Sequence, residues 1–155
     1  MKGLIKMKPK EKRIVIILII ALILIDQILK IVLIKTNFKA INARGCGIGV
    51  INNTKTDNNI AYVLISIVAI MSLVRYINSN NTFVKMNSRI ILSFAIAGAI
   101  SNAIDRLWNG GTVNYMNFTK FTPINLSYVY FIIAWIGMAV ILTKYTRDRI
   151  KEKKK

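Results

Sequence analysis

The sequence predicts an all-α integral membrane protein with four transmembrane helices. Of its 155 residues, 54% are apolar and the mean hydropathy is +0.48, which is high for a soluble domain. The apolar residues fall in four blocks, and about 20 apolar residues cross the roughly 30 Å of bilayer hydrocarbon. The blocks predict a single membrane domain, 1–155, with spans at about 14–34, 60–76, 88–105 and 126–143.

Basic residues give the predicted spans an orientation. The net charge is +17, and much of it lies in the tails 1–13 and 144–155. Basic residues that flank spans mark the cytoplasmic side, where they lie against anionic headgroups. Both termini are therefore predicted to be cytoplasmic, with a partly structured extracytoplasmic loop between the first two helices. No nucleic acid partner is expected, because no folded basic domain presents the tails.

The composition limits the available chemistry. The chain has no histidine and a single cysteine, Cys46, which excludes an intrachain disulfide and a His/Cys metal cluster. There is also no glycine-rich phosphate loop. We therefore expect no metal and no other cofactor.

Two charged residues interrupt the first apolar block. Asp26 and Lys30 are four residues apart, so they share a helix face and can pair. A charge in a spanning helix costs about 2.5–3.5 kcal/mol on insertion scales, so it normally faces protein or a wet cavity. The pair is either a structural ion pair or part of a functional site.

More polar residues end the third block. Asn102, Asp105 and Arg106 precede a glycine pair, and Asp105 is expected to pair with Arg106 or with a neighbouring helix. Asn125 or Ser127 is a natural N-cap for the fourth helix. With Asp26 and Lys30, these residues predict one buried polar cluster in the outer third of the membrane. Intramembrane hydrolases and small transporters both need such a site.

The chain resembles the lipoprotein signal peptidase family, also called signal peptidase II, whose members are four-helix aspartic peptidases of the bacterial cytoplasmic membrane. Gly98 to Arg106 is similar to the family motif that ends in Asn-x-x-Asp-Arg. Asp26 and Lys30 resemble its first-helix Asp-x-x-x-Lys. The stretch 45–49 loosely resembles a glycine-containing loop, with Asn42 one position out of register. The approach to the fourth helix, 121–126, is also similar.

The chain departs from the family at both catalytic positions. The resemblance implies that Asn114 and Tyr128 replace the two aspartates of the dyad. An aspartic peptidase needs two carboxyls that share a proton. An amide has no basic form near neutral pH, and a phenol titrates near 10. For the other positions that resemble the family, the resemblance implies that they bind substrate or support the fold: Asp26, Lys30, Asn42, Asn102, Asp105, Arg106 and Asn125.

Three hypotheses follow. The first is a catalytically inactive relative that is associated with bacterial prolipoprotein signal peptides. The second is an active peptidase with a displaced dyad, for which Asp26 and Asp105 are the candidates. The third is a small membrane transporter. The expected partners are the lipid bilayer and either a lipidated prolipoprotein signal peptide or another membrane protein.

Overall fold

The computed structural model describes residues 8–36, 41–43, 59–78, 85–116 and 123–153. In chain order these ranges form α1 (Pro9–Lys35), β1 (Ile41–Ala43), α2 (Asn59–Ile77), α3 (Met86–Asn109), β2 (Thr112–Asn114) and α4 (Leu126–Lys153). Cys46 lies outside the described residues.

Helix α3 is the centre of the bundle and contacts α1, α2 and α4. One apolar core joins Val15, Ile77, Leu92 and Ile96, and a second joins Leu22, Ala97 and Tyr130. These clusters bring residues from all four helices onto the two long faces of α3.

Two glycines allow α3 and α4 to approach closely. A Cβ at Gly98 would lie 2.9 Å from the main-chain oxygen of Ser127, and a Cβ at Gly137 would lie 2.8 Å from the side chain of Ile91. Small residues at helix interfaces are the usual means of close packing in membranes, where the hydrophobic effect does not drive helices together. Gly98 thereby sets the start of α4 directly against α3.

A buried arginine, paired with a partly exposed glutamate, joins three helices at the end of the bundle where α1 and α3 begin. An Nη atom of Arg89 lies 2.7 Å from the Glu11 carboxylate, and its Nε donates to the main-chain oxygen of Ile77 at 3.2 Å. Arg89 is 2% exposed. This contact ties the starts of α1 and α3 to the end of α2.

At the other end of α3, a left-handed residue turns the chain into a short strand. Gly110 has φ 67°, a conformation that glycine adopts without strain. Strand β2 then pairs antiparallel with β1, in the register Ile41 with Asn114 and Ala43 with Thr112. A bridge between Met116 and Ile124 leads into α4. The two strands thus lie next to the ends of α1 and α3 and the start of α4.

The lengths of the helices suit a membrane. Among the described residues, α1, α3 and α4 are each long and apolar enough to cross one. The apolar stretch of α2, Tyr62–Ile77, is shorter. The whole helix has 19 residues, which rise about 28 Å at 1.5 Å per residue. The predicted all-α membrane fold is confirmed. Helix α4 continues to Lys153, beyond the predicted span, since lysine, arginine and glutamate are good helix formers.

Candidate functional site

An ionic cluster of Asp26, Lys30 and Asp105 lies between α1 and α3. The Nζ of Lys30 is 2.5 Å from Oδ2 of Asp26 and 2.7 Å from Oδ2 of Asp105. All three side chains are at most 2% exposed. One ammonium therefore bridges two carboxylates that belong to different helices.

Neutral side chains complete the ionic cluster. The hydroxyls of Ser101 and Ser127 both donate to Oδ2 of Asp26, the latter at 2.8 Å. The amide of Gln27 donates to Oδ1 of Asp105 at 3.0 Å and to the Ser101 hydroxyl oxygen at 2.7 Å. Because Ser127 belongs to α4, the cluster joins three helices. Hydrogen bonds of this kind offset part of the cost of burying charge.

A second group, the amide cluster, consists of Asn102, Asn114 and Asn125. The Nδ2 of Asn125 lies 2.9 Å from Oδ1 of Asn102, 2.9 Å from Oδ1 of Asn114 and 3.1 Å from the main-chain oxygen of Val113. Asn114 and Asn125 are completely buried. Among the residues that the structure describes, the Nδ2 of Asn114 has no hydrogen-bond partner.

Strand β2 connects the two clusters through a single residue. The N–H of Val113 donates to Oδ2 of Asp105 at 3.1 Å, and its carbonyl accepts from Asn125. Both polar groups of this residue are therefore satisfied by side chains, one from each cluster. The ionic cluster consequently fixes the main chain immediately before Asn114.

The first turn of α4 is held by two side chains. Oδ1 of Asn125 accepts from the N–H of Tyr128 at 3.3 Å, so the predicted N-cap is present. The hydroxyl oxygen of Tyr115 accepts from the N–H of Leu126 at 3.1 Å. Burial raises the pKa of Tyr115 to about 12, so this phenol is neutral at physiological pH.

Tyr128 differs from Asn114 in its surroundings. It lines an open apolar groove of about 460 Å³ on the outside of α4, together with Phe131 and Trp135. The indole of Trp135 is 82% exposed. Position 114 is thus closed within the protein, whereas position 128 lies at the edge of a membrane-facing surface.

The remaining predicted residues are placed as follows. Asp105 pairs with a neighbouring helix through Lys30, which is one of its two expected partners. The guanidinium of Arg106 lies 4.5 Å from the centre of the Tyr62 ring of α2. The main chain of Asn42 pairs with Val113, and its side chain lies outside the described residues.

Sequence reasoning missed several residues that complete the site. Three of them touch Asp26 or Asp105 directly and one holds the start of α4: Gln27, Ser101, Ser127, which was predicted only as an alternative N-cap, and Tyr115. A signal existed for two of them. Gln27 is a polar residue inside an apolar block, and Ser101 is one helical turn before Asp105 and so shares its face.

The family model described as signal peptidase (SPase) II matches residues 18–147 of the chain. This range includes every residue of both clusters. The chain belongs to the signal peptidase II family. Among curated proteins, none matches it significantly.

Solved structures show the same fold as this signal peptidase II relative. One is a bacterial membrane enzyme determined by the in meso method at 2.3 Å resolution; it is 21% identical, with a TM-score of 0.70, over 86% of this chain and 90% of that one. Another bacterial membrane enzyme, determined in the same way at 1.9 Å, is 20% identical, with a TM-score of 0.65, over 83% and 91%. At these identities the likeness concerns the fold alone.

Proposed function

We propose that this member of the signal peptidase II family binds the lipidated signal peptide of a bacterial prolipoprotein and does not cleave it. The observation that carries the proposal is the identity of residues 114 and 128, since Asn114 and Tyr128 occupy, by resemblance to the family motif, the positions of its two aspartates. In this proposal the protein lies in the cytoplasmic membrane with both termini in the cytoplasm.

The two side chains cannot replace a carboxyl dyad. The Asn114 oxygen accepts a hydrogen bond from Asn125, and an amide cannot take a proton from water near neutral pH. Tyr128 can donate a hydrogen bond, but it does not act as a base at that pH. Positioned acid and base groups each contribute about 10²–10⁴-fold to a rate, and both are missing. Hydrolysis of a peptide bond would then lack both the general base that activates water and the general acid that protonates the leaving group.

A displaced dyad in the ionic cluster is disfavoured by the contacts there. Asp26 and Asp105 do not share a proton with each other, because the ammonium of Lys30 contacts both. The two carboxylates are 0% and 1% exposed, which leaves no room for a water and a peptide bond beside them. The same closure argues against an ion path through this cluster, as a small transporter would need. A supporting role in the fold fits these contacts better.

Binding has a surface that supports it. The groove beside Tyr128 is apolar and opens toward the lipid, so it can receive an apolar signal helix laterally. Shape and apolar contact suffice for this task, whereas cleavage needs a dyad. The proposal therefore separates binding, which uses the outside of α4, from catalysis.

One experiment measures both properties on the same protein. A photo-crosslinking residue at position 135 and a purified diacylglyceryl-modified prolipoprotein would be combined in proteoliposomes. We expect a crosslink to the signal peptide and no shift to the mature size on a gel. A crosslinker at Trp108, which is 85% exposed at the end of α3, is the matched control and should give little product. Turnover by the unmodified protein would refute the inactive assignment, and the absence of any crosslink would refute binding.

Restoring the two carboxyls tests whether the missing dyad is the reason for the lack of cleavage. The double variant Asn114→Asp with Tyr128→Asp is expected to show detectable cleavage, whereas each single variant stays inactive, because one carboxyl cannot be base and acid in the same step. Complementation of a signal-peptidase-deficient strain measures this. Cleavage by either single variant would contradict the requirement for a dyad.

A further inference from the structure

A small cavity lies at the opposite end of the bundle from the amide cluster. It has a volume of about 130 Å³ and is lined from both α3 and α4. Its polar lining consists of Lys85, Asn87, Ser88, Lys144, Tyr145 and Asp148. At roughly 30 Å³ per water molecule, it has room for about four waters, or for a compact polar group of similar size.

The position of the cavity along the helices places it at a membrane surface. Lys144 is 18 residues after the start of α4, and Lys85 is 20 residues before Asp105, so both lie about 27–30 Å from the polar clusters at 1.5 Å per residue. That distance matches the thickness of the hydrocarbon layer. If the clusters lie near one membrane surface, the cavity lies in the headgroup layer of the other.

The charges of the cavity favour an anion. Two lysines from different helices face one carboxylate, Asp148, which leaves a net positive lining. Ser88 is 1% exposed, so part of the polar wall is buried rather than on the open surface. Ile141 forms the wall on the side of the apolar part of α4. Basic pockets between spanning helices are a recognised form of lipid headgroup site.

We propose that this cavity binds the phosphate headgroup of an anionic glycerophospholipid, with its acyl chains lying along α4 beside Ile141. The phosphate oxygens accept hydrogen bonds from the two ammonium groups, which come from α3 and α4 and are thereby held together. Asp148 weakens the site, since its carboxylate repels the phosphate.

Native mass spectrometry of the full chain tests this proposal, with phosphatidylglycerol and phosphatidylcholine as the probes. The unmodified protein is expected to retain one phosphatidylglycerol in preference to phosphatidylcholine. Lys85→Gln with Lys144→Gln should weaken phosphatidylglycerol binding by about tenfold or more, as expected for the loss of two charge-assisted hydrogen bonds. Asp148→Asn should strengthen it, and this opposite sign does not depend on any loss of folding.

The matched control is Lys10→Gln with Lys151→Gln, which removes the same charge from exposed positions outside this cavity. It should change phosphatidylglycerol binding much less than the cavity variant. Equal losses in the two double variants would overturn the proposal, because they would indicate general surface charge. Competition by millimolar inorganic phosphate would also overturn it, because it would indicate a site for free phosphate rather than for a lipid.

Discussion

The ionic cluster and the amide cluster are neighbours, joined by Val113, yet their polar side chains are buried in different ways. In the ionic cluster, one ammonium lies between two carboxylates of α1 and α3, with hydroxyl support from α4, and Oδ1 of Asp26 has no hydrogen-bond partner among the described residues. In the amide cluster, no side chain carries a charge, and one Asn125 nitrogen serves three acceptors. The ionic cluster offsets the cost of burying charge by pairing opposite charges, whereas the amide cluster contains no charge that needs a partner.

Under the proposed function, this difference separates the residues that support the fold from the positions that would react in an active peptidase. The residues that hold the helices and strand β2 in place match the family motif. In the proposed assignment, the positions of the two reacting carboxyls hold an amide, Asn114, and a phenol, Tyr128. A buried amide has no ionisation cost, so under this assignment an amide at position 114 is easier to bury than a carboxylate. Stability and catalysis then place different demands on adjacent residues.

The largest expected effect comes from breaking the ionic cluster. Replacing Asp105 by alanine removes one carboxylate from Lys30, one acceptor from Gln27 and the side-chain acceptor of the Val113 N–H. Breaking a buried pair on one side costs about 3–5 kcal/mol. Unfolding in detergent, followed by heat or by denaturant, measures the loss.

The matched control for this variant is Glu152→Ala, which removes an exposed carboxylate near the end of α4. Its effect should stay within about 0.5 kcal/mol, as is usual for surface changes. An Asp105→Ala protein as stable as the control would show that the ionic cluster does not support the bundle.

A smaller effect is expected where the two clusters meet at the start of α4. Ser127→Ala removes one hydroxyl from Oδ2 of Asp26 and leaves the Lys30 contact in place. A hydrogen bond to a charged group contributes about 1.5–3 kcal/mol, so the loss should lie in that range. Ser72→Ala is the control, because that exposed hydroxyl bonds only to the main chain of its own helix at Val68, among the contacts described. Equal stabilities of the two variants would contradict the role of Ser127 as a link from α4 to α1.

Much of the fold was predictable because membrane helices are specified by apolar length. The four apolar blocks predicted four helices, and the four-residue spacing of Asp26 and Lys30 predicted their ion pair. The glycine after α3 gave its turn, since Gly110 is left-handed. By contrast, α4 extends past its apolar block, because the backbone hydrogen bonds of a helix do not require apolar side chains.

The candidate site was predictable only in part, because its decisive contacts join distant parts of the chain. Which helix faces Asp105 depends on packing, so its contact with Lys30 could be named only as one alternative. Ser127 was predicted only as an alternative N-cap, because a serine near a helix start gives no sign of a partner on a distant helix, and its hydroxyl instead bonds to Asp26. The capture of Val113 by a side chain from each cluster has no local pattern, because it depends on where β2 lies between α3 and α4.

The smallest effect, and the one that most sharpens the comparison, is expected for Asn114→Asp. The new carboxyl keeps the hydrogen bond from Asn125, and its second oxygen replaces a nitrogen that has no partner in the described part of the chain. When protonated it has almost the shape of the amide, so at pH 4 the variant should match the unmodified protein. Burial raises the pKa of this carboxyl in the folded state above the value of about 3.9 in the unfolded chain. Stability is therefore full below pH 4 and falls as the pH rises, until the folded-state pKa is passed. Each unit of that shift is worth about 1.4 kcal/mol, so a loss of about 1–2 kcal/mol is expected by pH 7.

Chemical unfolding at pH 4, 5.5 and 7 measures this loss of stability. The control is Asn109→Asp, at an exposed position at the end of α3, whose free energy of unfolding should not change with pH above pH 5. An Asn114→Asp protein with the same flat profile would show that position 114 tolerates a charge, and the distinction between the two clusters would fail there.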